Sequence, residues 1–241
     1  MDQIEILDLN SLMICKQIAQ DDILRNKYYL AGGTALALQF NHRKSYDLDF
    51  FQSDSNGKIN FDEIYKRLIN LFPQKDIKII LKQVDQVNFN IYGIKISFIA
   101  YPFLLIEPLV PGEKIDINLT GINLTSPKEI ALMKAYAIGR RPTYRDYIDL
   151  YFLLKTNTVT IEYILTKAPQ KFIIDNEIVF SRKMFLQQLS YTKDIDDKET
   201  ALSTVLGKKL TVEEIEKYLE QKAKDAIKMY LQSPKGKGIG L

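Results

Sequence analysis

The stretch from Leu30 to Phe51, LAGGTALALQFNHRKSYDLDFF, constrains the fold of this chain more than any other. A Gly-Gly-Thr turn opens an apolar run with helical spacing, and a short basic loop then leads into an Asp-Leu-Asp-Phe segment that is typical of a strand. Because side chains alternate along a strand, Asp47 and Asp49 should point to one face while the apolar residues next to them enter the core. The stretch therefore predicts a helix followed by a strand that carries two neighbouring carboxylates.

The two carboxylates indicate a metal site. Side by side, Asp47 and Asp49 repel each other unless a cation lies between them. Hard oxygen ligands of this kind suit Mg²⁺, with Mn²⁺ as an alternative, and Mg²⁺ usually combines one or two protein carboxylates with substrate phosphates. Taken alone, an Asp-x-Asp segment is better explained by a solvated surface hairpin. We predict Asp47 and Asp49 as metal ligands because of the glycines that precede them.

The glycines and the basic loop predict a phosphate site in the same unit. Gly32 and Gly33 allow backbone N–H groups to approach phosphate oxygens at the start of a helix over residues 34–40, where the helix dipole favours anions. The basic loop that follows this helix offers further hydrogen-bond donors. The residues predicted here to bind a nucleotide are Gly32, Gly33, Thr34, Arg43 and Ser45.

Composition excludes several other classes of protein and site. With 33 basic and 30 acidic residues the formal net charge is only +3, so the chain is not a bulk-basic nucleic-acid binder. A single cysteine, Cys15, and a single histidine, His42, exclude an intramolecular disulfide, a zinc site and a Cys/His dyad. The sequence has no signal-peptide pattern and no apolar run of transmembrane length, so we expect a cytoplasmic protein with no membrane partner.

The periodicity of the sequence divides it into two halves and a tail. Alternating segments over residues 77–101 predict a meander of strands inside an α/β domain over residues 1–125. Residues 126–129, Ser-Pro-Lys-Glu, form a capping box with proline at the first helical position, and the sequence beyond them has a helical pattern. We therefore expect an α/β (α+β) fold with a mixed sheet and flanking helices, then an all-helical domain over 126–232 and a flexible tail over 233–241.

The spacing of the glycines and aspartates resembles a known signature. Gly32 and Gly33, thirteen further residues and then Asp-Leu-Asp-Phe are similar to the signature of the DNA polymerase β-like nucleotidyltransferase superfamily. The longer string resembles the first motif of the AbiEii/AbiGii toxin family within it, which reads Gly-Gly-Thr-Ala-Leu, then Arg-x-Ser, then Asp-Leu-Asp-Phe. This resemblance implies a nucleotidyltransferase-fold sheet and an enzyme that transfers a nucleotidyl group from an NTP to an acceptor.

A second stretch resembles a later motif of the same family, a Lys on one helix followed by an Arg and an Asp-x-x-Asp on the next. The resemblance implies that Lys134 contacts the nucleotide triphosphate and that Asp149 completes the active site beside the Asp-x-Asp pair. For Asp146 we prefer a structural interpretation, an exposed salt bridge between residues four apart on a helix. The same structural alternative stays open for Arg145 with Asp149.

One position departs from the superfamily pattern. Enzymes of the superfamily commonly carry a third carboxylate on a neighbouring strand, and the candidate strand here, residues 93–98, offers Ser97 instead. Serine is a poor Mg²⁺ ligand, so either Asp149 fills this role or a second metal is weakly held. The departure leaves open a second interpretation, in which the protein binds nucleotide or RNA without turnover.

The resemblance also implies partners. In this family the acceptor would be RNA, tRNA in particular, and a cognate antitoxin would neutralise the protein in a toxin–antitoxin or phage-defence system. The sequence RRPTYR over residues 140–145 concentrates cations beside a tyrosine, which fits an RNA-backbone contact or a charge complement at a helix end. A small-molecule acceptor, as in antibiotic-modifying nucleotidyltransferases, is a further functional alternative.

Overall fold

The chain forms two compact units, Met1–Ser126 and Pro127–Leu241, in a computed structural model. The structure describes residues 6–54, 57–141, 143–207 and 209–232. The division falls where the Ser-Pro-Lys-Glu capping box opens a helix. The flexible tail predicted over residues 233–241 lies outside the described residues.

A mixed sheet forms the centre of the first unit, and its strands run in the order β3-β4-β5-β2-β1-β7-β6. The pairs β2–β5 and β1–β7 are parallel, and the other neighbours are antiparallel. The segments predicted as a meander are β3, β4 and β5, as expected. Within the described residues the seven strands are β1 Tyr28–Ala31, β2 Leu48–Gln52, β3 Ile77–Lys82, β4 Gln86–Ile91, β5 Ile94–Ile99, β6 Val110–Pro111 and β7 Asn123–Leu124.

Two short helices replace the single helix that the apolar spacing over residues 9–25 predicts. These are α1 at Leu9–Gln20 and α2 at Asp22–Lys27. Between them Asp21 has an extended backbone, and its side chain accepts hydrogen bonds from two backbone N–H groups in the first turn of α2. This N-cap starts a new helix and thereby interrupts the longer one. The unit also contains α3 at Gly32–Phe40 and α4 at Phe61–Leu71.

The β-like pattern of residues 115–119 predicts a strand, and this prediction is wrong. The chain there forms two short 3₁₀ helices, Gly112–Lys114 and Ile117–Leu119. The Asp116 side chain accepts a hydrogen bond from the Asn118 backbone N–H at 2.8 Å, a local turn that competes with pairing in a sheet. The strands β6 and β7 lie on either side of this segment.

Within its described residues, the second unit consists of helices and one small hairpin. The expectation of an all-helical domain needs this correction, since β8 at Ile173–Ile174 pairs with β9 at Glu177–Ile178. The two residues between these strands, Asp175 and Asn176, have positive φ of 50° and 64°, as a tight hairpin turn requires. The helices of its described residues are α5 Pro127–Ala137, α6 Tyr144–Lys155, α7 Ile161–Lys171, α8 Arg182–Gln188, α9 Lys198–Leu202 and α10 Val212–Gln232.

The helical pattern of residues 176–189 predicts a helix that begins earlier than α8 does. Its first residues form the hairpin, and Ser181 then caps α8 by accepting a hydrogen bond from the Met184 backbone N–H. With these corrections, the mixed α/β fold with a helical second half is confirmed. Among the described residues, no helix is both long enough and apolar enough to cross a membrane.

Candidate active site

The two aspartates of the Asp-x-Asp segment lie on one face at the start of β2. Asp47 and Asp49 are half-buried, whereas Leu48 and Phe50 are 0% and 1% exposed. This alternation is the one that the sequence predicts for a strand with its apolar face in the core. Both carboxylates are therefore accessible from the same side of the sheet.

The Gly-Gly turn reaches the second of these carboxylates. β1 pairs with β2 so that Ala31 lies opposite Asp49, and α3 begins at the next residue, Gly32. Gly32 has a φ of +68°, which favours glycine, and a Cβ added there would lie 3.2 Å from Asp49 Oδ2. The residue that precedes α3, Ala31, has no side-chain acceptor to cap the helix. The first turn of α3 thus presents its backbone N–H groups beside the Asp49 carboxylate.

Arg43 is buried against the second glycine. Its side chain is 2% exposed, and Nη1 donates a hydrogen bond to the Lys44 carbonyl oxygen at 3.0 Å. A Cβ added at Gly33 would overlap Arg43 Nη2. Position 33 therefore favours glycine, since a guanidinium group packs directly on the backbone there. This contact holds a positive charge against the first turn of α3.

We expect Gly33→Ala to destabilise the protein by about 1–3 kcal/mol, because the new methyl group must displace the buried guanidinium group. In an Arg43→Ala background the same substitution should cost less, since the overlapping group is gone. The free energy of unfolding from urea denaturation of the four proteins in this cycle measures the coupling. Equal costs of Gly33→Ala in both backgrounds would contradict the packing described here.

Thr34 and Ser45 hold the backbone of the first aspartate in place. Both side chains are buried, their hydroxyl oxygens lie 2.7 Å apart, and the Thr34 hydroxyl donates a hydrogen bond to the Asp47 carbonyl oxygen. These contacts join α3 to the loop that precedes β2. Both residues therefore position Asp47 through its main chain. Their assignment as nucleotide-binding residues stays a prediction.

Ser97 lies directly beside Asp49 in the sheet. Residues Asp49 of β2 and Ser97 of β5 are partners in the parallel pair, and Asn88 of β4 lies on the other side of Ser97. Ser97 is 1% exposed, and its hydroxyl has no hydrogen-bond partner within the described structure. Ser97 thus lies on the neighbouring strand, where the superfamily pattern predicts a third carboxylate. A polar row, Asp49-Ser97-Asn88, crosses three strands at this point.

In the second unit, Lys134 forms a buried cluster with two aspartates. Its Nζ lies 2.6 Å from Asp146 Oδ1 and 2.7 Å from Asp149 Oδ2. Lys134 is 4% exposed, and the two aspartates are 1% and 0% exposed. Lys134 lies on α5 and both aspartates lie on α6, so this charged cluster joins the two helices inside the unit.

The interpretation of Asp146 as part of an exposed salt bridge is wrong. Asp146 is buried, and it accepts hydrogen bonds from Arg141 Nε at 2.7 Å and Nη2 at 2.8 Å in addition to its contact with Lys134. Burial alone would raise the pKa of Asp146, but the cations of Lys134 and Arg141 lower it below its ordinary value. Sequence reasoning missed this because charge spacing along one helix does not show which cation a neighbouring helix supplies.

The predicted site residues thus fall into two groups. The first unit brings together Gly32 and Gly33 with Arg43 and the Asp-x-Asp pair, supported by the buried Thr34 and Ser45 hydroxyls. The second unit brings together Lys134 and Asp149 and adds Asp146 and Arg141 to them. The first group offers hard oxygen ligands and helix N–H groups, which suit a cation and a phosphate. The second offers a lysine held by two carboxylates.

Comparisons with known proteins point to one family. The family model described as "Nucleotidyl transferase AbiEii toxin, Type IV TA system" matches residues 16–235. An uncharacterized protein of Aquifex aeolicus (strain VF5) is 30% identical over 211 residues, which cover 86% of this chain and 90% of that protein. The family-model match includes the two groups of residues described above.

Solved structures share the fold at low sequence identity. JHP933 from Helicobacter pylori has a TM-score of 0.51 and 20% identity, with 92% of each chain covered. MenT4, a nucleotidyltransferase toxin from Mycobacterium tuberculosis H37Rv, has a TM-score of 0.53 and 14% identity, with 88% of this chain and 82% of that chain covered. At these identities the likeness is one of fold.

Proposed function

Since the chain belongs to the AbiEii family of nucleotidyl transferase toxins, we propose that it transfers a nucleotidyl group from an NTP to RNA, with tRNA as the acceptor. Membership of the family makes it a nucleotidyltransferase of the toxin type. The metal, the acceptor, the antitoxin and the roles of single residues are the parts that we propose. The observation that carries the proposal is the close approach of the Gly-Gly start of α3 to the Asp49 carboxylate.

The triphosphate would bind at the first turn of α3. The N–H groups there, together with the positive end of the helix dipole, would bind an anion, as the N-termini of helices commonly do. Gly32 and Gly33 have no side chains to obstruct it, and the buried Arg43 adds a fixed positive charge behind the second glycine. These features support the assignment of the turn as the phosphate-binding part of the site.

The donor set supports a divalent cation held by Asp47 and Asp49. Within the described residues, no group of three or more His, Cys, Asp or Glu side chains is arranged to hold a metal ion. A pair of carboxylates leaves the remaining coordination positions for water and phosphate oxygens, as Mg²⁺ prefers; Mn²⁺ has similar preferences for oxygen ligands. When bound, such a cation neutralises charge on the triphosphate and orients the α-phosphate for in-line attack.

Lys134 and Asp149 of the second unit are also proposed to act in the reaction. By family resemblance Lys134 contacts the triphosphate and Asp149 takes part in the chemistry. The buried ion pair between them supports a joint role, because each side chain fixes the position of the other. In this proposal Asp146 and Arg141 position Lys134 and do not contact the NTP.

Incubation of the protein with total RNA, Mg²⁺ and each labelled NTP in turn tests the activity. We expect a labelled band of tRNA size with at least one NTP, and its disappearance when EDTA removes the cation. The products should also be analysed for labelled protein and small molecules. Absence of any labelled product with all four NTPs would contradict the proposed transfer.

Two alternatives predict different results in the same assays. A protein that binds nucleotide without turnover, which the serine beside Asp49 motivates, would show NTP binding by calorimetry and no product by mass spectrometry. A small-molecule nucleotidyltransferase would leave cell growth unaffected when expressed alone. A toxin should arrest growth, and co-expression of its antitoxin should restore it. A small protein encoded next to this chain is the candidate antitoxin.

A further inference from the structure

A cavity of about 230 Å³ opens on the second unit at the end of α5. It is lined by two arginines and two tyrosines, Arg140, Arg141, Tyr147 and Tyr191, with Asp194 in its wall. Whole small-molecule ligands usually occupy pockets of about 300–1,000 Å³. This cavity is smaller and open to solvent, so it suits one unit of a longer chain better than a complete nucleotide triphosphate.

The walls of the cavity are fixed by hydrogen bonds. Gly139 ends α5 with a φ of +79°, which turns the chain towards α6. The Tyr147 hydroxyl on α6 donates to the Gln188 carbonyl oxygen at 3.1 Å, and it lies 3.4 Å from the Tyr191 carbonyl oxygen. These bonds attach the end of α8 to α6. The cavity is therefore formed before any ligand arrives.

Both arginines are held in defined positions at the cavity. Arg140 stacks over the Tyr136 ring at 3.8 Å and donates hydrogen bonds to the carbonyl oxygens of Tyr136 and Val179. Arg141 is bound to Asp146, yet 58% of its side chain is exposed. A guanidinium group that is oriented in advance loses little entropy when it binds a phosphate. The cavity thus has two ordered cations at its edge.

Tyr191 supplies an aromatic surface at the rim. It is 47% exposed, so its ring is accessible to a ligand. A hydrogen bond to the Asp194 carboxylate raises the pKa of Tyr191. An exposed aromatic ring beside fixed cations is the combination with which proteins bind single-stranded nucleic acid.

The cavity is also connected to the proposed catalytic lysine. Arg141 binds Asp146, and Asp146 binds Lys134 at 2.6 Å. A phosphate bound at Arg141 would therefore lie two side chains away from Lys134. This connection explains why a binding site for the acceptor would be placed here and not elsewhere on the unit.

We propose that this cavity binds one nucleotide of the single-stranded part of the RNA acceptor, with its base stacked on Tyr191 and an adjacent phosphate on Arg140 and Arg141. The proposal rests on the proposed RNA nucleotidyltransferase function and names the subsite that receives the acceptor. Within the basic stretch over residues 140–145, the proposal assigns Arg140 and Arg141 to the RNA contact. Tyr144 is fully buried and cannot contact RNA, so Tyr191 supplies the aromatic ring instead.

A fluorescence experiment tests the stacking directly. The chain contains no tryptophan, so Tyr191→Trp introduces a single reporter. We expect a single-stranded RNA octamer to quench its fluorescence in a saturable manner, and unlabelled total tRNA to compete. Leu9→Trp, at a residue that is 75% exposed in the first unit, is the control and should not respond. Absence of quenching at Trp introduced in place of Tyr191, or equal quenching in the control, would overturn the proposal.

A binding experiment distinguishes failure of this subsite proposal from failure of the proposed nucleotidyltransferase function. Tyr191→Ala should weaken binding of a fluorescein-labelled RNA octamer by at least about fivefold, equivalent to about 1 kcal/mol, whereas Tyr191→Phe should stay within about twofold. The hydrogen bond from Tyr147 reaches the backbone of Tyr191, so both variants keep it. NTP binding by calorimetry should not change. Equal RNA affinity of the two variants would reject the cavity as the subsite, whereas failure of the unmodified protein to label any acceptor would reject the proposed function.

The salt dependence of RNA binding tests the arginines. Arg140→Gln should reduce the slope of log affinity against log salt by about 0.7, the value for one phosphate contact on a single strand. Lys183→Gln, an exposed lysine of the same unit, is the matched charge control and should leave the slope unchanged. Arg141 is unsuitable for this test because it holds Asp146. An unchanged slope for Arg140→Gln would show that Arg140 does not contact phosphate.

Discussion

Asp49→Asn is expected to lower the rate of nucleotidyl transfer by at least about 10³-fold, or about 4 kcal/mol in activation free energy. Asparagine keeps the shape of the side chain but removes the negative charge that a divalent cation needs. Asp49 lies beside the first turn of α3, where the phosphates are proposed to bind, so its loss removes the cation from the phosphates. The initial rate of labelled nucleotide incorporation into RNA measures the effect.

The matched control for this prediction is Asp54→Asn. Asp54 is an exposed aspartate that follows β2, and its substitution changes the net charge equally. It should leave the rate within about twofold of the unmodified protein. Calorimetric titration with Mn²⁺ gives an independent readout, since Asp49→Asn should weaken cation binding and Asp54→Asn should not. Full activity of Asp49→Asn, with the protein folded by circular dichroism, would remove the Asp-x-Asp pair from the mechanism.

The local parts of the candidate site could be predicted from sequence because each depends on neighbours in the chain. The alternation of Asp47 and Asp49 with buried residues follows from the period of a strand. The need for glycine at position 32 follows from the positive φ of the residue that opens α3. The meander over β3, β4 and β5 follows from alternating segments separated by short turns. The fold class was predictable for the same reason.

The parts that could not be predicted depend on contacts between distant segments. The role of Gly33 is set by a guanidinium group that arrives from ten residues further along, and its packing cannot be inferred from spacing. The sequence around Asp146 is typical of a surface residue. In the structure Asp146 is buried, and α5 and the turn after it supply the two cations that pair with its carboxylate. Local turn chemistry caused the other errors: the Asp21 cap divided a helix, and two residues with positive φ created the hairpin β8–β9.

The buried cluster around Lys134 changes how a loss of activity at this residue must be interpreted. A lysine that only contacts a triphosphate could be exposed, and its removal would leave the fold unchanged. Lys134 is instead 4% exposed and balances two buried carboxylates. Its removal therefore affects stability and catalysis together, and an activity measurement alone cannot separate them. An experiment on this residue needs a second substitution that restores stability without restoring the positive charge.

Lys134→Met is expected to reduce the free energy of unfolding by about 3–5 kcal/mol at neutral pH, because it removes a cation that pairs with two buried carboxylates. Lys128→Met, an exposed lysine on the same helix, should change it by less than about 0.5 kcal/mol. Urea denaturation of both variants and the unmodified protein, followed by circular dichroism, measures these differences. A change below 1 kcal/mol for Lys134→Met would contradict the cluster as described.

The pH dependence of this loss has a defined sign. The cations lower the pKa of Asp146 in the folded protein, so its ionised form stabilises the fold above the pKa of the unfolded chain, about 3.9. That contribution is lost as the pH falls through the lower pKa of the folded state. The difference between Lys134→Met and the unmodified protein should therefore be largest near neutral pH and decrease below about pH 4. A difference that grows on acidification would contradict this assignment.

The double variant Lys134→Met/Asp149→Asn separates the structural role from the catalytic one. Neutralising Asp149 removes one of the two buried negative charges with which Lys134 pairs, so we expect the double variant to regain at least about half of the lost stability. If the two residues act on the nucleotide, transfer to RNA stays absent although the protein is stable again. If transfer returns with stability, the pair only joins α5 to α6 and the chemistry lies with Asp47 and Asp49. The two outcomes differ in incorporation of labelled nucleotide at equal fractions of folded protein, which is the measurement that decides between them.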